Sequence, residues 1–215
     1  AKQAVLSAPE EAECYDFADT TGTVIAGWTT SATNYIRIYT PIAERHDGTT
    51  GTGYRLQSSG FAVGLTITEE NVRVEGIELY IGSLHQDLMA IDAIGTCDIR
   101  ISYCLFSGQS MTGFDQIEGS AGSGTWKIWN NFFVKAFGYA VNWDTGGGTL
   151  YFYNNSMVGC GRSSGFYYCF NAASGTVIAK NNIADERTSI GSHAQTGAWT
   201  GTYDASSTGN ASSDT

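Results

Sequence analysis

A ten-residue pattern recurs through this chain at a nearly constant interval, and few folds permit that. The segments are NVRVEGIELY from Asn71, CDIRISYCLF from Cys97, TWKIWNNFFV from Thr125, TLYFYNNSMV from Thr149 and TVIAKNNIAD from Thr176. Anchored on the first apolar residue, they place Val72, Ile99, Trp126, Leu150 and Val177 at spacings of 27, 27, 24 and 27 residues. Two residues further on stand Val74, Ile101, Ile128, Phe152 and Ala179, all apolar. Period-2 alternation marks a strand with one buried face. A strand that returns every 24–27 residues marks a solenoid, because one such coil cannot bury its apolar face alone and stacked coils share a core.

The interval excludes the main all-β alternatives. A propeller blade needs about 40 residues or more, and a sandwich of hairpins gives alternating strands without identical columns at a fixed period. The expected fold is therefore all-β, a single-stranded parallel β-helix with coils of about 24–27 residues. The preference of parallel crossovers for one hand makes it right-handed.

The position five after each anchor reads Ile77, Cys104, Asn131, Asn155 and Asn182, preceded in the last three coils by Asn130, Asn154 and Asn181. Asparagine repeated at a bend predicts a ladder in which each amide bonds backbone or its neighbours above and below. One Asn of each pair suits the left-handed conformation that a sharp corner needs. Each coil then carries a variable excursion, a further strand and a Gly-rich exit (IDAIGT, EGSAGSGT, DTGGGT, NAASGT). Counting back a fixed number of residues from the Thr that closes each exit puts Leu88, Ile117, Val141 and Tyr168 inward, with Ala90, Gly119, Trp143 and Phe170 two residues later.

Residues 1–64 follow the repeat less well and are expected to build an N-terminal cap and irregular first coils, with TVIAGW, NYIRIYTP and YRLQ as strands and SAPEEAE as a short covering helix. Residues 65–201 form the regular helix, and residues 202–215 read as a polar tail or the start of a further segment.

A net charge of −10 and a pI near 4.6 argue against nucleic acid as a partner, because phosphate binding needs an excess of Lys and Arg. No apolar run reaches transmembrane length and no signal-peptide pattern opens the chain, so membrane insertion is not expected. Five cysteines make an odd count. Cys160 and Cys169 flank a Gly/Ser-containing excursion and are candidates for a disulfide, and buried thiols fit the sequence equally well. His46, His85 and His193 sit in separate segments without metal-ligand spacing, so no metal and no cofactor is expected.

The repeated T-Φ-x-Φ-x-N-N motif, Φ being apolar, resembles the coil motif of the pectate-lyase-like superfamily of right-handed parallel β-helices over roughly residues 65–200. The N-terminal stretch GWTTSATNYIRIYTP, followed by the HDG turn, is similar to β-helix proteins of phage-like metagenomic sequences. The resemblance implies a choice among polysaccharide lyases and hydrolases, tailspikes, adhesins and structural virion proteins, since fold alone does not assign function. The paired-Asp motif and Gly-His-Gly turn of polygalacturonase-like enzymes, and the Arg signatures of pectate lyases, are missing from the sequence.

Outward columns are where a solenoid meets ligands. On the first strand one column reads Arg73, Arg100, Lys127, Tyr151, Ile178, and the next Glu75, Ser102, Trp129, Tyr153, Lys180. Arg100 and Lys127 suit the carboxylates of an acidic polysaccharide, and Trp129, Tyr151 and Tyr153 suit sugar faces. On the third strand Asp87 and Ile91, Glu118, Asn142 and Asp144 are expected outward. Asp87, Glu118 and Asp144, with Lys127, are the candidates for acid–base or lyase chemistry. The expectation is a structural or display protein of a virion or extracellular filament, associating with itself or with other surface subunits and able to bind glycan. The alternative is a polysaccharide lyase or glycoside hydrolase.

Overall fold

The computed structural model describes residues 4–58, 63–81, 89–91, 95–108, 115–120, 123–136, 138–145, 147–160, 169–186 and 199–212. They form a parallel β-solenoid of about six turns. The first sheet stacks Glu10–Glu13, Ile36–Tyr39, Asn71–Glu75, Cys97–Ser102, Gly124–Trp129, Thr149–Tyr153 and Thr176–Lys180. The second runs from Ala18–Asp19 through Arg55–Ser58, Glu78–Ile81, Leu105–Gly108, Phe132–Val134, Ser156–Cys160 and Ile183–Glu186 to Ala211–Ser212. The third contains Thr23–Ile25, Leu65–Ile67, Met89–Ile91, Ile117–Ser120, Val141–Thr145, Phe170–Ala172 and Trp199–Gly201. Among the described residues every strand pair is parallel, and the first sheet pairs Val72 with Ile99, Ile99 with Trp126, Trp126 with Leu150 and Leu150 with Val177. These partners are the anchors of the sequence repeat.

The core is a set of inward columns. Leu56, Leu79, Phe106, Phe133, Met157 and Ala184 descend the second sheet, and Phe106 and Phe133 stack with centroids 4.7 Å apart. That distance is close to the spacing of neighbouring strands, so register alone delivers the offset stack that aromatic rings favour. On the third sheet Gly119 stands between Ile91 and Trp143. A Cβ there would lie 3.0 Å from Trp143 and 3.2 Å from Trp126, and its absence lets those two indoles meet edge-to-face at 4.4 Å.

The corner after each of the five first-sheet strands from Asn71–Glu75 onward needs positive φ. Gly76, Tyr103, Asn130, Asn154 and Asn181 supply it, at 72°, 56°, 55°, 53° and 55°. The next residue points inward. Asn131 donates from Nδ2 to Asn155 Oδ1 (3.1 Å), Asn155 to Asn182 Oδ1 (3.1 Å) and Asn182 to Asn210 Oδ1 (2.8 Å). Each Oδ1 also accepts the backbone N–H of the preceding coil, from Cys104 to Asn131 (2.9 Å) and from Asn131 to Asn155 (3.0 Å). Buried amides are thereby satisfied on both sides.

Two details differ from expectation, and the open question of the cysteines resolves to thiols. SAPEEAE forms no helix. Its Glu10–Glu13 is instead a strand of the first sheet paired with Ile36–Tyr39, with all four residues exposed. On the third sheet Met89 and Ile91 point inward and Ala90 outward, so Ile91 is core rather than surface. The five cysteines are thiols, Cys160 and Cys169 among them, and both of those are buried.

Candidate functional site

The outward face of the first sheet follows the sequence columns. Glu11, Arg37, Arg73, Arg100, Lys127, Tyr151 and Ile178 are successive partners, as are Glu13, Tyr39, Glu75, Ser102, Trp129, Tyr153 and Lys180. Period-2 alternation turns each of them away from the core, and coil stacking sets neighbours about 4.8 Å apart. Arg100, Thr125, Lys127, Trp129, Tyr151 and Tyr153 consequently line one shallow groove of about 730 Å³. All six are half-buried. Sequence reasoning had named five of them. Thr125 was missed, although it stands two residues before Lys127 on the same face.

The aromatic part is compact. The Tyr151 and Tyr153 rings meet edge-to-face at 5.9 Å and 69°, and Trp129 is the coil partner of Tyr153. Burial raises the Tyr153 phenol, with Tyr151 nearby adding to the shift, so it is neutral at physiological pH. This patch offers apolar faces together with phenolic hydroxyls that can hydrogen-bond.

The charged part is less available than the columns suggest. Arg100 donates from Nε and Nη2 to Asp98 at 2.6–3.1 Å, and those bonds raise its pKa despite partial burial. The signal was legible, because Asp98-Ile99-Arg100 puts acid and base on one face of one strand. Arg37 pairs with Glu11 (3.2 Å) and Glu75 (2.7 Å), and Arg45 pairs with Glu75 (2.6 Å). Burial alone would raise the Glu75 carboxyl, and the two arginines outweigh it and hold it below the ordinary range. Arg73 lies over the Tyr35 ring at 3.3 Å. Lys127 has no acidic partner among the described residues.

Of the acids that were candidates for catalysis, the two on described strands, Glu118 and Asp144, stand on a different sheet from this groove. Glu118 belongs to the third sheet, half-buried between Ala90 and Asn142, whereas Lys127 is on the first. Asp144 falls within the third-sheet strand Val141–Thr145. Asp87 lies outside the described residues, as do His85 and His193. On the same outward column as Glu118, Asn171 donates from Nδ2 to Asn142 Oδ1 at 2.8 Å. Among the described residues no three His, Cys, Asp or Glu side chains converge to hold a metal ion.

No family model, curated protein or solved structure matches this chain. The groove and its chemistry therefore carry the functional argument.

Proposed function

We propose that this chain is a rigid display scaffold, of the kind used on virions and extracellular filaments, that binds a saccharide on the outward face of its first sheet. The observation that carries this reading is the groove of Arg100, Thr125, Lys127, Trp129, Tyr151 and Tyr153. Three of its six residues are aromatic, and all six stand on strands fixed by neighbouring coils. A ligand resting there pays little to order its site, because the backbone is already locked into the ladder.

Titration calorimetry of the whole chain against a panel of neutral and acidic oligosaccharides tests the reading. Binding to a panel member is expected, with Trp129→Ala weakening it about tenfold, equivalent to about 1.4 kcal/mol. Absence of binding across the panel, or binding unchanged in Trp129→Ala, would overturn it. Release of reducing ends or unsaturated uronides, abolished in Glu118→Gln, would replace the scaffold with an enzyme.

A further inference from the structure

Resting on that saccharide reading, we infer that the groove selects a sugar chain carrying one carboxylate, seated on Lys127, with uncharged sugar faces over Trp129, Tyr151 and Tyr153.

The cations of the column differ in how they are compensated. Arg37 lies between two glutamates, at 2.7 and 3.2 Å. Arg73 is stacked on Tyr35. Arg100 is chelated by Asp98 from its own strand. Arg37 and Arg100 are thus paired with carboxylates, and Arg73, which has only the ring, stands outside the groove lining. Lys127 comes next and has no acid beside it among the described residues. A ligand that covers the groove takes water from its ammonium group, and an uncompensated ammonium is costly to desolvate. A carboxylate offsets that cost, and a neutral sugar does not.

Beyond Lys127 the surroundings turn against anions. The next residue of its column is Tyr151, and the flanking column supplies Trp129 and Tyr153. Aromatic faces carry negative quadrupole potential, which attracts cations and repels carboxylates. On the opposite side Arg100 is already held by Asp98, and the next cation of the column, Arg73, lies outside the groove lining. Within the groove a second carboxylate would meet either an aromatic face or the already paired Asp98–Arg100. The chain also carries a net charge of −10, which disfavours the approach of a densely charged polymer. One negative charge fits this site, and a charge on every sugar does not.

Three ligands of equal length separate the possibilities by titration calorimetry: an oligosaccharide with one uronic acid among neutral sugars, its carboxyl-reduced neutral form, and a fully charged oligouronate. The singly charged ligand is expected to bind at least tenfold tighter than either of the others. Its affinity should weaken as salt concentration rises, because screening weakens a single exposed ion pair, while the reduced form should bind independently of salt. Lys127→Met should bring the singly charged and reduced forms within about twofold of each other, and Lys127→Arg should restore the preference. Equal binding of the singly charged and reduced ligands by the unmutated chain would overturn the inference and leave the saccharide reading intact. Tightest binding of the oligouronate would also overturn it. Failure of all three to bind would remove both.

Discussion

His46 Nε2 lies 2.8 Å from the carbonyl oxygen of Tyr103, a residue 57 positions further along the chain. A carbonyl only accepts, so Nε2 carries the proton and Nδ1 is the bare nitrogen of a neutral ring. Nδ1 is buried without a hydrogen-bond partner among the described residues. The contact fastens the excursion between Ile36–Tyr39 and Arg55–Ser58 to the corner of a later coil. Arg45 adds to it, bonding Thr40 O (2.9 Å) and Glu75 (2.6 Å) and lying 5.3 Å from the Tyr103 ring centroid.

This arrangement makes stability depend on pH. Burial lowers the His46 pKa below its ordinary 6.5, against the hydrogen bond to Tyr103 and the nearby Glu78 and Asp47 that favour the cation, while Arg45 opposes it. The folded state thus binds fewer protons than the unfolded state as pH falls through 6.5, and stability drops with acidification and is level above neutrality. Thermal melts should show Tm falling between about pH 7 and pH 6. His46→Gln keeps a donor for Tyr103 O and loses the titration, so its melting curve should be flatter over that interval. An equal slope in the variant would place the dependence elsewhere, for instance on His85 or His193.

Tyr103 occupies a corner that Gly76, Asn130, Asn154 and Asn181 occupy in the other coils. A left-handed conformation costs a side chain of this kind about 1–2 kcal/mol. The exposed contact with Arg45 returns about 0.5–1 kcal/mol. Tyr103→Asn should therefore be neutral to stabilising by about 1 kcal/mol, read as a higher urea midpoint at unchanged slope. A clear loss of stability would mean that the ring does more for the clasp than its geometry indicates.

Asn155, like Asn182, makes four side-chain hydrogen bonds. Its Oδ1 accepts from Asn131 N (3.0 Å) and Asn131 Nδ2 (3.1 Å), and its Nδ2 donates to Ile128 O (2.9 Å) and Asn182 Oδ1 (3.1 Å). The residue is 1% exposed, so water cannot replace these bonds. Asn155→Ala strands a backbone donor and a backbone acceptor, at about 1–3 kcal/mol for each buried group. Urea denaturation should show a loss of about 2–4 kcal/mol, and a loss below 1 kcal/mol would show that the corner rearranges around the gap.

The register of the regular coils was legible because two periods coincide. Alternation along the strand fixes the face, and the coil interval fixes the neighbour, so Lys127 beside Tyr151 and Trp129 beside Tyr153 follow from spacing alone. The third strand was harder, because the exit after it varies in length. Its second inward residue lies five positions before the closing Thr96 at Ile91, six before Thr125 at Gly119 and four before Thr176 at Ala172. An error of two keeps the face, which is why Phe170 was read correctly as inward. An error of one reverses it, which is why Ile91 was not. The Arg45 and His46 contacts were not legible at all, since they join an excursion to distant coils and leave no period behind.

The same excursion covers one further group, Glu78, which points outward from the second sheet and is nevertheless 0% exposed. Arg55 donates to it from Nε (2.9 Å) and Nη2 (3.3 Å), Ser107 from Oγ (2.7 Å) and Gly51 from its amide (2.9 Å). Glu78→Leu would leave the Arg55 guanidinium, 19% exposed, without its acid at a cost of about 3–5 kcal/mol. Replacing both partners avoids that penalty, because two apolar side chains need no compensation. Arg55→Leu combined with Glu78→Leu should thus be more stable than Glu78→Leu alone, by about 2 kcal/mol in urea unfolding. The opposite order would show that the ion pair contributes net stability beyond the repair of its own desolvation, and that the excursion is held by charge rather than by shape.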